Sequence, residues 1–426
     1  MSDFLALPPV RSLSGVVRVP PSKSATNRAI LLAALSGTPV AIATPLLSDD
    51  TAALRRCLEA MGASIVATAN GLRVCGPLRG AGERAIDLDA ADSGTAARFL
   101  AAVAAATPGR FALRGSPRLC ERPMGELVDA LRGAGARISY RAREGCLPLD
   151  IEGGTVASGD VVVDAQRSSQ FLSALLLAAV AVDGGLRVRA AGRIVSGPYV
   201  ATTLEVLREF GHRVEAGAEF FVRRGDSLAR SYETPGDYSS AVPLAAAAGI
   251  AGGDVRLAGL RWPSADADAG ALPVLERMGV RFVHGDDGMT ATAERGASRA
   301  TSIEAGDFPD AVPALAALAA LSRGETVFSG VGHLRLKESD RLAALAELVS
   351  AVGGRASVTE DGLVVAGPAS GRGSAVTRLP TFRDHRIAMA AALLSLRVPG
   401  LLIEDPGCVG KSYPAFFRDL ETLARR

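Results

Sequence analysis

Six stretches rich in alanine and leucine, each opening on small polar residues and closing on a glycine, set the strongest limit on how this chain can fold. They read SKSATNRAILLAALSG, DSGTAARFLAAVAAATPG, QRSSQFLSALLLAAVAVDGG, DYSSAVPLAAAAGIAGG, DFPDAVPALAALAALSRG and FRDHRIAMAAALLSLRVPG. Their closing glycines, Gly37, Gly109, Gly185, Gly253, Gly324 and Gly400, recur every 68 to 76 residues. That period is too long for the common solenoid repeats and suits a small supersecondary unit. Each stretch is apolar nearly all round, which predicts a helix buried on every side.

A second helix follows in every unit, and in the first five it ends alike: CLEAMGASI, ALRGAGARI, VLREFGHRV, VLERMGVRF and LVSAVGGRASV. Glycine at that point suits a left-handed cap ahead of a strand. Paired strand-like runs come next, such as ASIVATANGLRVCG, with Asn70-Gly71 as the predicted hairpin turn, and ASVTEDGLVVAG, with Asp361-Gly362 in the same place. The last unit ends after its second helix, FFRDLETLARR, while a strand pair around LPPVRSLSGVVRVPP precedes the first. The amino terminus is therefore expected to complete the last unit. Two lobes follow: residues 1–20 with 238–426, holding repeats four to six, and residues 21–237, holding repeats one to three. The crossings fall at Pro20-Pro21 and Pro235-Gly236-Asp237, both turn-rich. Helices alternating with short sheets make the class α/β or α+β.

With 426 residues and 48% of them hydrophobic, the chain can bury a core in each lobe without staples. A formal charge of +2 and few aromatic residues argue against nucleic acid as a partner, and leave small anions open. Cys57, Cys75, Cys120, Cys146 and Cys408 form no CxxC pair, which fits reduced thiols better than disulfides or structural zinc. No secretory leader or spanning run of about 20 apolar residues is recognisable. A soluble, cytoplasmic protein is expected, with no membrane partner.

Buried helices with polar amino ends aim unpaired N–H groups and the positive end of their dipoles at one face of each lobe. An isolated S-K-S would read as a capped helix beside two solvated cations. Its repetition points instead to an anionic ligand, phosphate above all. The first lobe offers Lys23, Ser24 and Arg28, then Asp92-Ser93-Gly94-Thr95 with Arg98, Arg122 in CERPMG, Ser168-Ser169-Gln170, and Ser196 with Tyr199 in VSGPY. The second offers Asp307 and Asp310 in GDFPD, Lys337-Glu338-Ser339-Asp340-Arg341, Asp384-His385-Arg386, and Lys411 in VGKSYP. Read alone, Asp307 and Asp49-Asp50 are helix caps, Asp340 and Arg341 an exposed helix pair, and His385 a satisfied buried histidine.

PxSKSxxNR, SGTAxRF, ERPMG, SSQF, KESDR, DHRxAM and DPxCxxKSYPxFF stand in one order over almost the whole chain. In this the sequence resembles the 5-enolpyruvylshikimate-3-phosphate synthase family of enolpyruvyl transferases. The resemblance implies a two-lobed inverse β-prism of six βαβαββ repeats, with helix amino ends facing the interdomain cleft. It implies phosphoenolpyruvate and shikimate 3-phosphate as substrates, addition and elimination through a tetrahedral intermediate, and no cofactor or metal. A monomer inhibited by glyphosate is expected. Carried over by motif, Lys23, Ser24, Arg28, Ser168, Ser169, Gln170, Ser196, Tyr199, Asp310 and Lys337 hold shikimate 3-phosphate. Lys23, Gly94, Thr95, Arg122, Gln170, Arg341, His385, Arg386 and Lys411 hold phosphoenolpyruvate. Asp310 is implied as the base, Glu338 as the acid, with Lys23 also in the catalytic set.

The sequence departs from the family pattern at Pro21, Asp92, Phe99 and His333, the last where some relatives bind substrate through Asn. None of these removes a charged ligand. A UDP-sugar enolpyruvyl transferase shares fold and chemistry, but SKSATNR and KESDR speak against it. A catalytically silent anion-binding protein would have no need of both Asp310 and Glu338. Cys120 stands two residues before Arg122 and is read as incidental.

Overall fold

The computed structural model describes residues 3–225, 228–367 and 376–424. Two compact units result, Met1–Pro20 with Pro235–Arg426, and Pro21–Thr234. The second boundary lies three residues earlier than the sequence places it. Asp237 explains the shift: its N–H donates to Pro20 O at 2.9 Å and its carboxylate accepts from the Ser239 and Ser240 hydroxyls, so it opens the next helix rather than closing the previous lobe.

Among the described residues the helices are α1 (Lys23–Leu35), α2 (Asp49–Ala60), α3 (Gly94–Ala106), α4 (Gly125–Gly133), α5 (Ser169–Ala178), α6 (Pro198–Glu209), α7 (Tyr238–Ala251), α8 (Leu272–Arg277), α9 (Val312–Ala319), α10 (Arg341–Ala351), α11 (His385–Ser395) and α12 (Phe416–Ala424). The odd-numbered ones are the six leading helices. Side chains cap their starts as the sequence suggests: Ser22 accepts from Ala25 N, Ser93 from Ala96 N, Ser168 from Gln170 N and Asp384 from Arg386 N. Burial explains their composition. All but one residue of α3 and of α5 is buried, and every residue of α7. Their small alanines let helices pack closely, and each unit holds its own apolar core. No described helix is long and apolar enough to cross a membrane.

Each repeat contributes a small sheet. In the second, Ile86–Asp89 runs parallel to Gly109–Arg114, and Leu149–Gly153 and Arg137–Tyr140 follow antiparallel. The expected amino-terminal pair does not pair with itself. Phe4–Ala6 lies antiparallel to Leu402–Glu404 and so completes the last repeat, whereas Leu13–Arg18 runs parallel to Gly253–Ala258 in the fourth. Its counterpart Ser231–Glu233 joins Val40–Ala43 in the first repeat. The strands at the two crossings are thus exchanged between repeats one and four. The hairpin register also differs from expectation: Thr68 faces Gly71, which leaves Ala69-Asn70 as the turn. Gly71 is needed for close approach, since a Cβ there would lie 2.1 Å from Ile42 O.

Gly211 ends α6 with a left-handed backbone, and His212 follows, its Nδ1 accepting from Gly225 N at 3.4 Å. Burial, and then Arg224, pulls this imidazole down to about 4 from its ordinary 6.5. The unfolded chain therefore binds a proton that the folded one refuses. The stabilisation is complete above pH 6.5 and is lost as pH falls toward 4. Between pH 7 and 5 it amounts to roughly 2 kcal/mol. Denaturant unfolding at both pH values should show a steeper loss for the parent than for His212→Asn; equal slopes would discount the histidine.

Candidate active site

In the unit Pro21–Thr234, the first turns of α3 and α5 meet. Gln170 Nε2 donates to Thr95 Oγ1 at 3.2 Å, and Arg98 Nη1 donates to Gln170 Oε1 at 3.1 Å. Arg122, buried at the end of the short turn Leu119–Glu121, comes so near Gly94 that a Cβ there would sit 2.6 Å from its Nη1. The α1 side is joined to α6. Arg28 donates to Ser24 O at 3.0 Å, Thr203 Oγ1 at 2.7 Å and Tyr199 O at 3.2 Å, and lies over the Phe99 ring. Lys23 Nζ pairs with Asp50 Oδ2 at 3.1 Å, both largely buried. Ser169 and Ser196 are buried, and Ser196 holds a left-handed φ of 55°, a strained backbone for serine of the kind found at functional sites.

In the other unit Arg341 is the hub. It is fully buried, and its guanidinium reaches Asp384 Oδ2 at 2.8 Å, Asp310 Oδ1 at 2.8 Å and Glu338 Oε2 at 3.0 Å. Burial alone would pull Arg341 down; Asp384, then Glu338 and Asp310, outweigh it and hold it well above its ordinary range. Asp384 is completely buried and also accepts from Ser339 Oγ and Arg386 N. Arg386 donates to Ser239 O and Ser239 Oγ at the start of α7, with Asp310 Oδ2 3.7 Å away. Burial works against its charge too, and Asp310, Asp237 and Asp268 more than offset it. Lys411 Nζ lies 3.4 Å from Glu338 Oε1, so the two carboxylates read as base and acid share one cation and stand among three.

His385 opens α11, buried, with Nδ1 3.7 Å from Asp384 Oδ1. Lys337 follows the turn Gly332–Leu336 that carries His333. Burial, then Lys337, lowers His333 to about 3, so it is neutral; its buried Nε2 has no hydrogen-bond partner among the described residues. Left-handed Phe382 and Arg383 lead into Asp384, a second strained stretch beside the cluster.

Chemically, each unit gathers helix amino ends and buried cations suited to phosphate or carboxylate, and one of them adds two carboxylates placed to move protons. The family model described as EPSP synthase (3-phosphoshikimate 1-carboxyvinyltransferase) matches residues 7–420. The chain belongs to the EPSP synthase family. It is 36% identical over 430 residues to a 3-phosphoshikimate 1-carboxyvinyltransferase of Sulfurovum sp., covering 99% of each chain. With that of Nitrosomonas europaea it shares 37% over 431 residues, again 99% of each. The solved EPSP synthase of Acinetobacter baumannii superposes with a TM-score of 0.77 at 28% identity, covering 99% of this chain and 98% of that one. The enolpyruvyl transferase NikO of Streptomyces tendae matches at 0.79 over 99% and 97%; at 24% identity that likeness is one of fold.

Within the EPSP synthase frame, Gly94, Thr95, Arg122 and Gln170 come together in one unit, and Asp310, Glu338, Arg341, Arg386 and Lys411 in the other. Arg28, Ser24 and Tyr199 form a third group. Three readings of the sequence change. Asp50 is the partner of Lys23, and Ser48 stands at the cap position of α2, its N–H donating to Thr51 Oγ1 at 3.0 Å. Asp307 is exposed and caps nothing, because α9 starts at Val312. Arg341 is buried, so it makes no exposed pair with Asp340, which instead caps α10 by accepting from Ala343 N. Asp384 and Arg98 were placed by the sequence at the anion-facing helix ends but assigned neither to a substrate nor to catalysis; for Arg98 the available signal was a lone charge in an otherwise apolar helix, GTAARFLAAVAAA.

Proposed function

We propose that this chain transfers the enolpyruvyl group of phosphoenolpyruvate to the 5-hydroxyl of shikimate 3-phosphate, giving 5-enolpyruvylshikimate 3-phosphate and phosphate, a step toward aromatic amino acids. The observation that carries the reading is the sharing of Arg341 by Asp310 and Glu338, with Lys411 and Arg386 alongside. Lys23, Ser24, Arg28, Ser168, Ser169, Gln170, Ser196 and Tyr199, with Asp310 and Lys337, bind shikimate 3-phosphate. Lys23, Gly94, Thr95, Arg122, Gln170, Arg341, His385, Arg386 and Lys411 bind phosphoenolpyruvate, whose two anionic groups suit several guanidinium forks.

Asp310 takes the proton of the 5-hydroxyl as its oxygen attacks C2 of phosphoenolpyruvate, and Glu338 delivers a proton to the methylene carbon. The resulting tetrahedral intermediate returns a methyl proton to the Glu338 carboxylate as phosphate leaves with the proton held by Asp310, restoring the double bond and the starting state of both carboxyl groups. Glu338 lies 3.0 Å from Arg341 and 3.4 Å from Lys411, so two cations flank the carboxyl group that carries this proton. The enzyme acts as a monomer in the cytoplasm, a reducing compartment that its five free cysteines fit. Phosphate release from phosphoenolpyruvate tests the assignment: it should require shikimate 3-phosphate, and release with UDP-N-acetylglucosamine instead would overturn it.

A further inference from the structure

We infer that Arg98 is a positioning residue that assembles the phosphoenolpyruvate end of the unit Pro21–Thr234. The inference rests on the proposed function, because it takes Gly94, Arg122 and Gln170 as that substrate's ligands. Arg98 is the only charged residue in α3 and is 2% exposed. Burying a guanidinium costs several kcal/mol unless good hydrogen bonds return it, so a role in the core alone would be served better by an apolar side chain.

Three of its bonds run to three parts of the site. Nη1 donates to Gly94 O at 3.0 Å and to Gln170 Oε1 at 3.1 Å, and Nη2 donates to Pro123 O at 3.0 Å. The first holds the opening turn of α3 and the third holds the backbone directly after Arg122. The second sets the Gln170 amide. With its oxygen taken by Arg98, the amide turns its N–H groups the other way, one onto Thr95 Oγ1, and so presents donors where an anion is to bind. Phe171 lies under the guanidinium, 5.5 Å from its centre, and keeps the fork in place. A Cβ at position 94 would be 2.5 Å from Arg98 Nη1 and 2.6 Å from Arg122 Nη1, so both guanidinium groups converge on Gly94 and the position of one limits the other. A lysine keeps the charge but cannot donate along three fixed directions.

Arg98→Lys is therefore expected to raise the Michaelis constant for phosphoenolpyruvate about tenfold while that for shikimate 3-phosphate stays within twofold and the melting temperature within a few degrees. Arg98→Ala should regain activity in millimolar guanidinium and not in methylammonium at the same concentration, a response that a purely structural residue would not give. A parallel rise of both Michaelis constants, or unchanged values for both, would overturn the inference. So would a lack of guanidinium rescue. Should Arg98→Lys not fold, Arg98→Gln is read in the same way, and failure of both to fold would assign the residue to the core instead. A parent that releases no phosphate with shikimate 3-phosphate would refute the proposed function itself. An active parent with an indistinguishable Arg98→Lys would refute only the role of Arg98.

Discussion

Replacing Glu338 by Gln is expected to leave both substrates bound and to lower turnover by on the order of a hundredfold or more. The side chains have nearly the same size and shape, and the amide oxygen can still accept from Arg341, which now reaches Glu338 at 3.0 Å. What is lost is a group able to give and take a proton at the methylene carbon. Arg341 keeps Asp384 and Asp310 at 2.8 Å each, so the buried guanidinium remains compensated and the unit should stay folded. Steady-state kinetics with both substrates would separate the outcomes. A fall in turnover with steady Michaelis constants supports proton transfer. Unchanged turnover would move the acid to another group, and a rise in both Michaelis constants alone would make Glu338 a ligand.

The repeat could be seen in the sequence because the same chemistry recurs at each turn: a polar cap, an apolar helix, a closing glycine. Those features depend on local backbone and burial, which single residues report well. The exchange of Leu13–Arg18 and Ser231–Glu233 between repeats could not be seen, because a short strand carries no record of the edge it joins. The Ala69-Asn70 turn was misplaced by one residue for a related reason. Gly71 is glycine because Ile42 O crosses its Cβ position, a tertiary contact that imitates a turn signal. For the site, the residue types were legible and their partners were not. Asp50 looks like a cap until Lys23 is found 3.1 Å away, and Asp384 does cap α11 while its two oxygens also hold Arg341. Arg98 was named with its neighbours but its partners could not be read: Gly94 O lies one turn back, while Gln170 Oε1 and Pro123 O are neutral groups brought to it by folding.

Replacing Gly94 by Ala is expected to raise the glyphosate inhibition constant by well over tenfold, more than about 1.4 kcal/mol, while phosphoenolpyruvate loses less. The added methyl finds no room. It would lie 2.5 Å from Arg98 Nη1, 2.6 Å from Arg122 Nη1 and 2.8 Å from Arg122 Cζ, all closer than a real Cβ tolerates. At least one of the two guanidinium groups therefore has to move. The methyl and the displaced fork then both intrude on the ligand at this wall. Glyphosate is longer than phosphoenolpyruvate and reaches further against it, so the same intrusion costs it more. Backbone strain does not enter, because Gly94 is the first residue of α3 and does not have the left-handed φ that disfavours a side chain. Inhibition constants measured against phosphoenolpyruvate, for the parent and for Gly94→Ala, decide the matter. Equal weakening of both ligands would refute the length argument. A parent that already resists millimolar glyphosate would show that the departures flanking this turn, Asp92 with its bond from Ser116 Oγ and Phe99 beneath Arg28, have reshaped the wall without any change at Gly94.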